Sequence, residues 1–100
     1  MITKGEIRVQ ERHIEERLKK EVERLGGIAL KLVSPGMAGV PDRLVLLPGG
    51  VALFAELKAP GKKLRPLQIK RKKQMESLGF KVYIIDSYKG IEAFLREVMV

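Results

Sequence analysis

Cysteine is absent from this 100-residue chain, which excludes disulfides and thiolate-held metals and makes an intracellular, cytoplasmic setting the default expectation. Histidine occurs once, at His13. Zinc sites normally draw on His and Cys, so a metal bound here must be held by oxygen, which points to Mg2+ or Mn2+. No apolar run approaches the roughly eighteen residues that cross a bilayer, so no membrane partner is expected. The opening Met1-Ile2-Thr3-Lys4-Gly5-Glu6 leads into charge rather than into the apolar segment of a signal peptide. Internal repeats, low-complexity tracts and linkers are lacking too. The expectation is one domain over residues 1–100, with a single core.

What the chain has in excess is positive charge. Twenty Lys and Arg against twelve Asp and Glu give a net charge of +8. That favours a polyanionic partner, nucleic acid ahead of an acidic membrane, although such an excess also serves solubility. The basic residues gather after Lys58, where Lys62, Lys63 and Arg65 precede a segment carrying Lys70, Arg71, Lys72 and Lys73.

Apolar positions Ile14, Leu18, Val22 and Leu25 recur at helical spacing, predicting a helix from about Ile7 to Leu25 that Gly26-Gly27 ends. Gly5 argues for a start near Glu6 or later. Most acids of this helix have a Lys or Arg three or four positions away, as on a solvated surface, whereas Glu15 borders the buried stripe. Ile28 to Val33 reads as a strand, and Ser34 to Pro41, with two prolines and two glycines, as a loop. Leu44 to Leu47 and Val51 to Ala55, joined by Pro48-Gly49-Gly50, read as a hairpin. Pro66 opens a helix to about Leu78, closed by Gly79, with Leu67, Met75 and Leu78 as a thin apolar stripe. Lys81 to Asp86 is a fourth strand. A last helix, about Lys89 to Val98, is capped by Asp86 or Ser87 and buries Ile91, Phe94, Leu95 and Val98. The order αβββαβα predicts an α/β domain: a central mixed four-stranded sheet flanked by helices, with a βαβ crossover between the last two strands.

The charges at the hairpin do not fit a plain strand pair. Glu56 and Lys58 are two apart and share a face, close to where Asp42 enters the neighbouring strand. A strand apolar on both faces should be buried, and should not end in a carboxylate and an amine without a partner or a task. Taken singly, Asp42 after Pro41 can shape a turn, and Glu56 with Lys58 can be an ion pair. Taken together, Asp42, Glu56 and the Leu57 backbone carbonyl make a hard-oxygen site for Mg2+ or Mn2+ with positions left for water and phosphate. Lys58 adds an amine that can orient or help deprotonate a water, or offset charge on phosphate, and Glu15 can add a carboxylate.

These residues also carry a resemblance. Gly39-Val40-Pro41-Asp42 followed by Glu56-Leu57-Lys58 resembles the PD-(D/E)xK nuclease signature. More narrowly, the stretch from Ile14 through Leu95 is similar to the VRR-NUC (virus-type replication-repair nuclease) family of phages, bacteria and a eukaryotic crosslink-repair nuclease. The likeness rests on Gly26-Gly27, Ser34-Pro35-Gly36, Leu47-Pro48-Gly49-Gly50, the run from Glu56 to Gly61, Pro66-Leu67-Gln68 and Gly79-Phe80. It implies a restriction-endonuclease-like fold, metal-dependent cleavage of DNA, a homodimer resembling Holliday junction resolvases, and a phage or bacterial cytoplasmic setting. By position it implies Asp42 and Glu56 as metal ligands, Lys58 as the catalytic lysine, Glu15 as the helix carboxylate and Gln68 as the glutamine of the following helix. Glu11 and Glu16 compete with Glu15, whose spacing to Leu18 and Val22 is the one that matches junction resolvases. Arg65 stands where the family often has a capping serine. DNA contacts are expected from Lys31, Ser34, Arg43, Lys62, Lys63, Arg65, Lys70, Arg71 and Lys72. A module that binds DNA without cutting it, or one whose basic helix docks an acidic protein, would share the charge excess.

Overall fold

Ile14, Leu18 and Val22 turn their side chains fully inward, at 3%, 0% and 0% exposure, and so fix one side of helix α1, Lys4–Arg24, against a sheet. The computed structural model describes residues 3–99, without the side chains at 4 and 6–9. Met1 and Ile2, where the opening was read as no signal peptide, lie outside the described residues. Helix α1 begins earlier than Gly5 suggested and runs straight through that glycine.

Strands β1 (Ile28–Lys31), β2 (Arg43–Leu47), β3 (Val51–Leu57) and β4 (Val82–Ile85) form one sheet in the order β1-β2-β3-β4. The first two pairings are antiparallel, and β3 pairs parallel with β4. The parallel pair requires a crossover, which helix α2 (Pro66–Ser77) supplies. Gly49 and Gly50 turn the β2–β3 hairpin at φ of +86° and +76°, a region that β-substituted residues avoid. Helix α3, Tyr88–Val98, is capped by Ser87, whose hydroxyl accepts from the Gly90 N–H at 2.9 Å.

One face of this sheet is the core. Ala29, Val45, Leu47, Leu53, Ala55, Leu57 and Ile85 pack there against α1 and against Ile91 and Phe94 of α3. The other face differs from expectation. Helix α2 contributes nothing to that core, and it meets the opposite face near β4, where its one buried side chain is Gln68. Of its expected stripe, Leu67 and Leu78 are out in solvent at 43% and 70% exposure, and Met75 is half-buried. Ile28 and Leu30, paired with Leu46 and Leu44, are therefore left uncovered at 51% and 43% exposure. The restriction-endonuclease-like α/β architecture, order αβββαβα with a mixed sheet, is the one observed.

Candidate active site

The β2–β3 ladder stops at Arg43 opposite Ala55. One step further Asp42 faces Glu56, and there side chains take over from the backbone. The Asp42 N–H donates to Glu56 Oε1 at 3.1 Å, and the Leu57 N–H donates to Asp42 Oδ2 at 3.0 Å. One more step along that register sets Pro41 opposite Leu57, and proline has no N–H to give. The Leu57 carbonyl projects toward the same side as its N–H, so it faces the Asp42 side with no ladder donor across from it. Two carboxylates and a carbonyl thus gather where a proline ends the sheet.

Glu56 is 4% exposed, and both its oxygens accept hydrogen bonds. Gln68 Nε2 donates to Oε2 at 2.6 Å, while the Gln68 carbonyl oxygen accepts from the Arg65 N–H at 2.9 Å. Gln68 therefore caps α2 and fixes Glu56 with one amide. The reciprocal half of a capping box is missing, because a guanidinium at position 65 has no lone pair to accept with. Gly39, at φ +84°, lets the preceding loop lie against the α2 backbone: a Cβ there would stand 2.6 Å from the Leu67 carbonyl oxygen. Arg71 holds the same loop, donating to the Ala38 carbonyl at 3.1 Å.

Electrostatics mark the pair. Burial first, then the charge of Asp42, push the Glu56 carboxyl up to about 7, while the Lys58 ammonium, 3.7 Å from Glu56 Oε2, pulls the other way. Like charges forced together in a half-dry site are what a cation relieves. The donors are all hard oxygens, suited to Mg2+ or Mn2+ rather than zinc. Among the described residues no three His, Cys, Asp or Glu side chains cluster closely enough to hold a metal by themselves. Two carboxylates and the Leu57 carbonyl would leave the remaining positions to water or phosphate.

Glu15, the helix carboxylate that the spacing favours, is paired with a neighbouring strand residue. Glu15 Oε1 is bound by Arg43, at 2.6 Å from Nη2 and 2.8 Å from Nε, and Arg43 also donates to the Ala29 carbonyl at 2.9 Å. Glu15 and Arg43 together clip α1 to β1 and β2. Glu11, one turn earlier, is the glutamate whose carboxyl is raised by burial and then by the charge of Asp42, with Lys58 opposing. Glu16 is exposed. Arg43, expected to contact DNA, has a side chain that is 15% exposed and already bonded within the fold. Arg71 is held to the loop and to Gln74, and Lys72 to Glu76. Lys31, Lys62, Lys63, Arg65 and Lys70 are exposed and have no side-chain partner among the described residues, and Ser34 is half-buried.

No family model matches the chain. It is 49% identical over 79 residues to a protein named "Putative nuclease p44" of Acyrthosiphon pisum secondary endosymbiont phage 1, across 79% of this chain and 85% of that protein. A solved structure described as a "VRR_NUC domain" superposes with a TM-score of 0.83 at 32% identity, over 87% of this chain and 95% of that one. With the Asp42, Glu56 and Lys58 signature set at the end of that fold, the chain belongs to the VRR-NUC family of the PD-(D/E)xK nuclease superfamily.

Proposed function

We propose that this chain is a Mg2+- or Mn2+-dependent endonuclease that hydrolyses phosphodiester bonds in branched DNA, resembling a Holliday junction resolvase and acting as a homodimer inside the cell. One observation carries the reading: the Asp42 and Glu56 carboxylates face each other at the end of the ladder with Lys58 Nζ 3.7 Å from Glu56. A bound divalent ion would neutralise phosphoryl oxygens and lower the pKa of a water at that point. Asp42, Glu56 and the Leu57 carbonyl would hold it. The Lys58 ammonium offsets negative charge as the water oxygen bonds to phosphorus and the bridging P–O bond breaks, its leaving oxygen taking up a proton. Gln68 keeps Glu56 in one rotamer throughout. The unpaired cations Lys31, Lys62, Lys63, Arg65 and Lys70 supply phosphate contacts, so binding should weaken steeply with salt.

The dimer is supported by the sheet's uncovered face. Antiparallel strands that meet water normally alternate apolar and polar, yet here Ile28, Leu30, Leu44 and Leu46 form one apolar surface on β1 and β2. A second copy packed on it would present two sites to the two scissile phosphates of a symmetric junction.

The test is a panel of four-way, flap and linear DNA, incubated with Mg2+, Mn2+ or chelator, beside light scattering of the protein. Cleavage of branched DNA with metal alone and a mass of twice 11.3 kDa are expected. Intact DNA in every lane would leave a binding module, and a monomeric mass would remove the dimer.

The two helix glutamates separate by their variants. Glu11→Gln should lower cleavage by about tenfold or more with little change in melting, since the charge it loses faces the site. Glu15→Gln should instead cost about 1 kcal/mol of stability by weakening the Arg43 clip, with cleavage per folded molecule near wild type. Urea unfolding and single-turnover cleavage of both variants decide this, and the reverse pattern would return the site carboxylate to Glu15.

A further inference from the structure

Between α1 and the start of α3 lies a recess of about 260 Å3, walled by Gln10, His13 and Ile14 on one side and by Ser87 and Tyr88 on the other, with Pro60 between them. Its lining residues lie close along the chain to those of the candidate active site. Pro60 stands two residues past Lys58, and Gln10 precedes Glu11, whose carboxyl feels Asp42 and Lys58. Ser87 follows the end of β4, where Ile85 is paired with Leu57.

The lining is chemically uneven in a useful way. His13 and Tyr88 bring two flat rings, both exposed, while Ile14 and Pro60 give apolar surface. Among the described residues no carboxylate lines it. Gln10 offers an amide that can donate and accept, and the Ser87 hydroxyl, which accepts from Gly90, keeps its own hydrogen to donate. Arg12 and Lys89, the chain neighbours of His13 and Tyr88, are exposed without ion-pair partners among the described residues. The Arg17 guanidinium lies 5.8 Å from the centre of the Tyr88 ring, although it also pairs with Glu21. Flat rings, a few hydrogen-bonding groups and nearby cations suit a nucleotide, and a volume of about 260 Å3 has room for a base.

We propose that this recess is a binding subsite for a single unstacked nucleobase of the DNA strand beside the scissile phosphate. The inference rests on the nuclease reading and deepens it. A base inside an intact duplex cannot present its faces to His13 and Tyr88, and pulling it out is least costly where it is already unpaired. The subsite therefore selects DNA whose pairing is interrupted near the cut, and gives the preference for branched substrates a location in this chain. Stacking against protein rings carries no strong base identity, so the selection is for unpairing and not for sequence.

The experiment compares a duplex holding one unpaired 2-aminopurine with its fully paired counterpart, both titrated with protein in chelator, alongside metal-dependent cleavage by the wild type. Tyr88→Ala and His13→Ala should each weaken binding of the unpaired-base DNA by about tenfold, leave paired DNA within about twofold, and lose the 2-aminopurine quenching seen with wild type. Tyr88→Phe should behave as wild type. Should Tyr88→Ala fail to fold, His13→Ala, at an exposed helix position, carries the same comparison. If wild type cleaves DNA but both variants bind and quench the unpaired-base duplex as tightly and as fully as wild type does, the subsite is overturned and the nuclease reading stands. If wild type neither binds nor cleaves any DNA, both fall.

Discussion

Lys58→Ala should lower metal-dependent cleavage by about 10³-fold while changing DNA affinity by less than about threefold. The asymmetry follows from where this lysine sits. It is one of twenty basic residues in a chain of net charge +8, so its loss removes little of the field that gathers phosphate. Its side chain is only 14% exposed, however, and its ammonium stands 3.7 Å from the Glu56 carboxylate at the end of the sheet. Among the described residues no other cation pairs with Glu56: Arg43 is bound to Glu15 and the Ala29 carbonyl, Lys72 pairs with Glu76, and Arg71 holds the loop. Removing Lys58 also removes a charge that lowers Glu56's proton affinity, so the carboxyl should climb above its value of about 7 and resist ionisation further. Lys58→Arg should not rescue turnover, because a planar fork cannot reproduce a compact ammonium in so tight a place. Single-turnover cleavage at saturating enzyme, set against filter binding in chelator, separates the two effects. Cleavage by Lys58→Ala within tenfold of wild type would remove the lysine from the chemistry.

The elements that place this site were legible because each rests on local patterning. Four apolar residues at helical spacing defined α1, and Pro48-Gly49-Gly50 defined the hairpin whose far end holds Asp42 and Glu56. What escaped depends on translation along an axis or on which layer covers a face. Glu11 and Glu15 are four apart and lie on the same side of α1, so phase cannot choose between them. They differ by about 6 Å along the helix axis, and only the position of the sheet's end relative to α1 decides which one reaches Asp42. Arg43 could have been read from alternation: it shares a strand face with Val45 and Leu47, both in the core, and so it points at α1 rather than at solvent. On α2 the expectation followed hydrophobicity, whereas the residue that turns inward is Gln68, because the surface awaiting it is a carboxylate. The apolar character of both sheet faces was visible as well. That it signalled an uncovered face, and not helices on both sides, required knowing that α2 sits near β4.

Asp42→Asn should abolish cleavage and yet make the metal-free protein more stable at neutral pH. Asp42 and Glu56 are held together by backbone donors, and the proximity lifts Glu56 from 4.5 to about 7, burial being the larger cause and Asp42's charge the next. A carboxyl whose folded value lies above its unfolded one favours the folded state fully below about 4.5 and loses that contribution as pH rises through about 7. In chelator, wild-type melting should therefore decline between these limits. An asparagine at 42 still offers an oxygen to the Leu57 N–H and can turn an amide hydrogen toward Glu56, converting repulsion into a hydrogen bond. Above pH 7 the gain should be about 1 kcal/mol, or roughly 4–8 °C in Tm for a chain of this size. Below pH 4.5, where Glu56 is protonated in both states, this difference between the proteins should shrink. Added Mg2+ should reverse the order, raising the wild-type Tm by binding the native carboxylate pair and leaving the variant unmoved. Melting curves of both proteins across this pH range, in chelator and in Mg2+, provide the check. A variant that melts with the wild type at pH 8 in chelator would show that the two carboxylates do not oppose one another in the folded protein, and a wild-type Tm indifferent to Mg2+ would take the cation away from them.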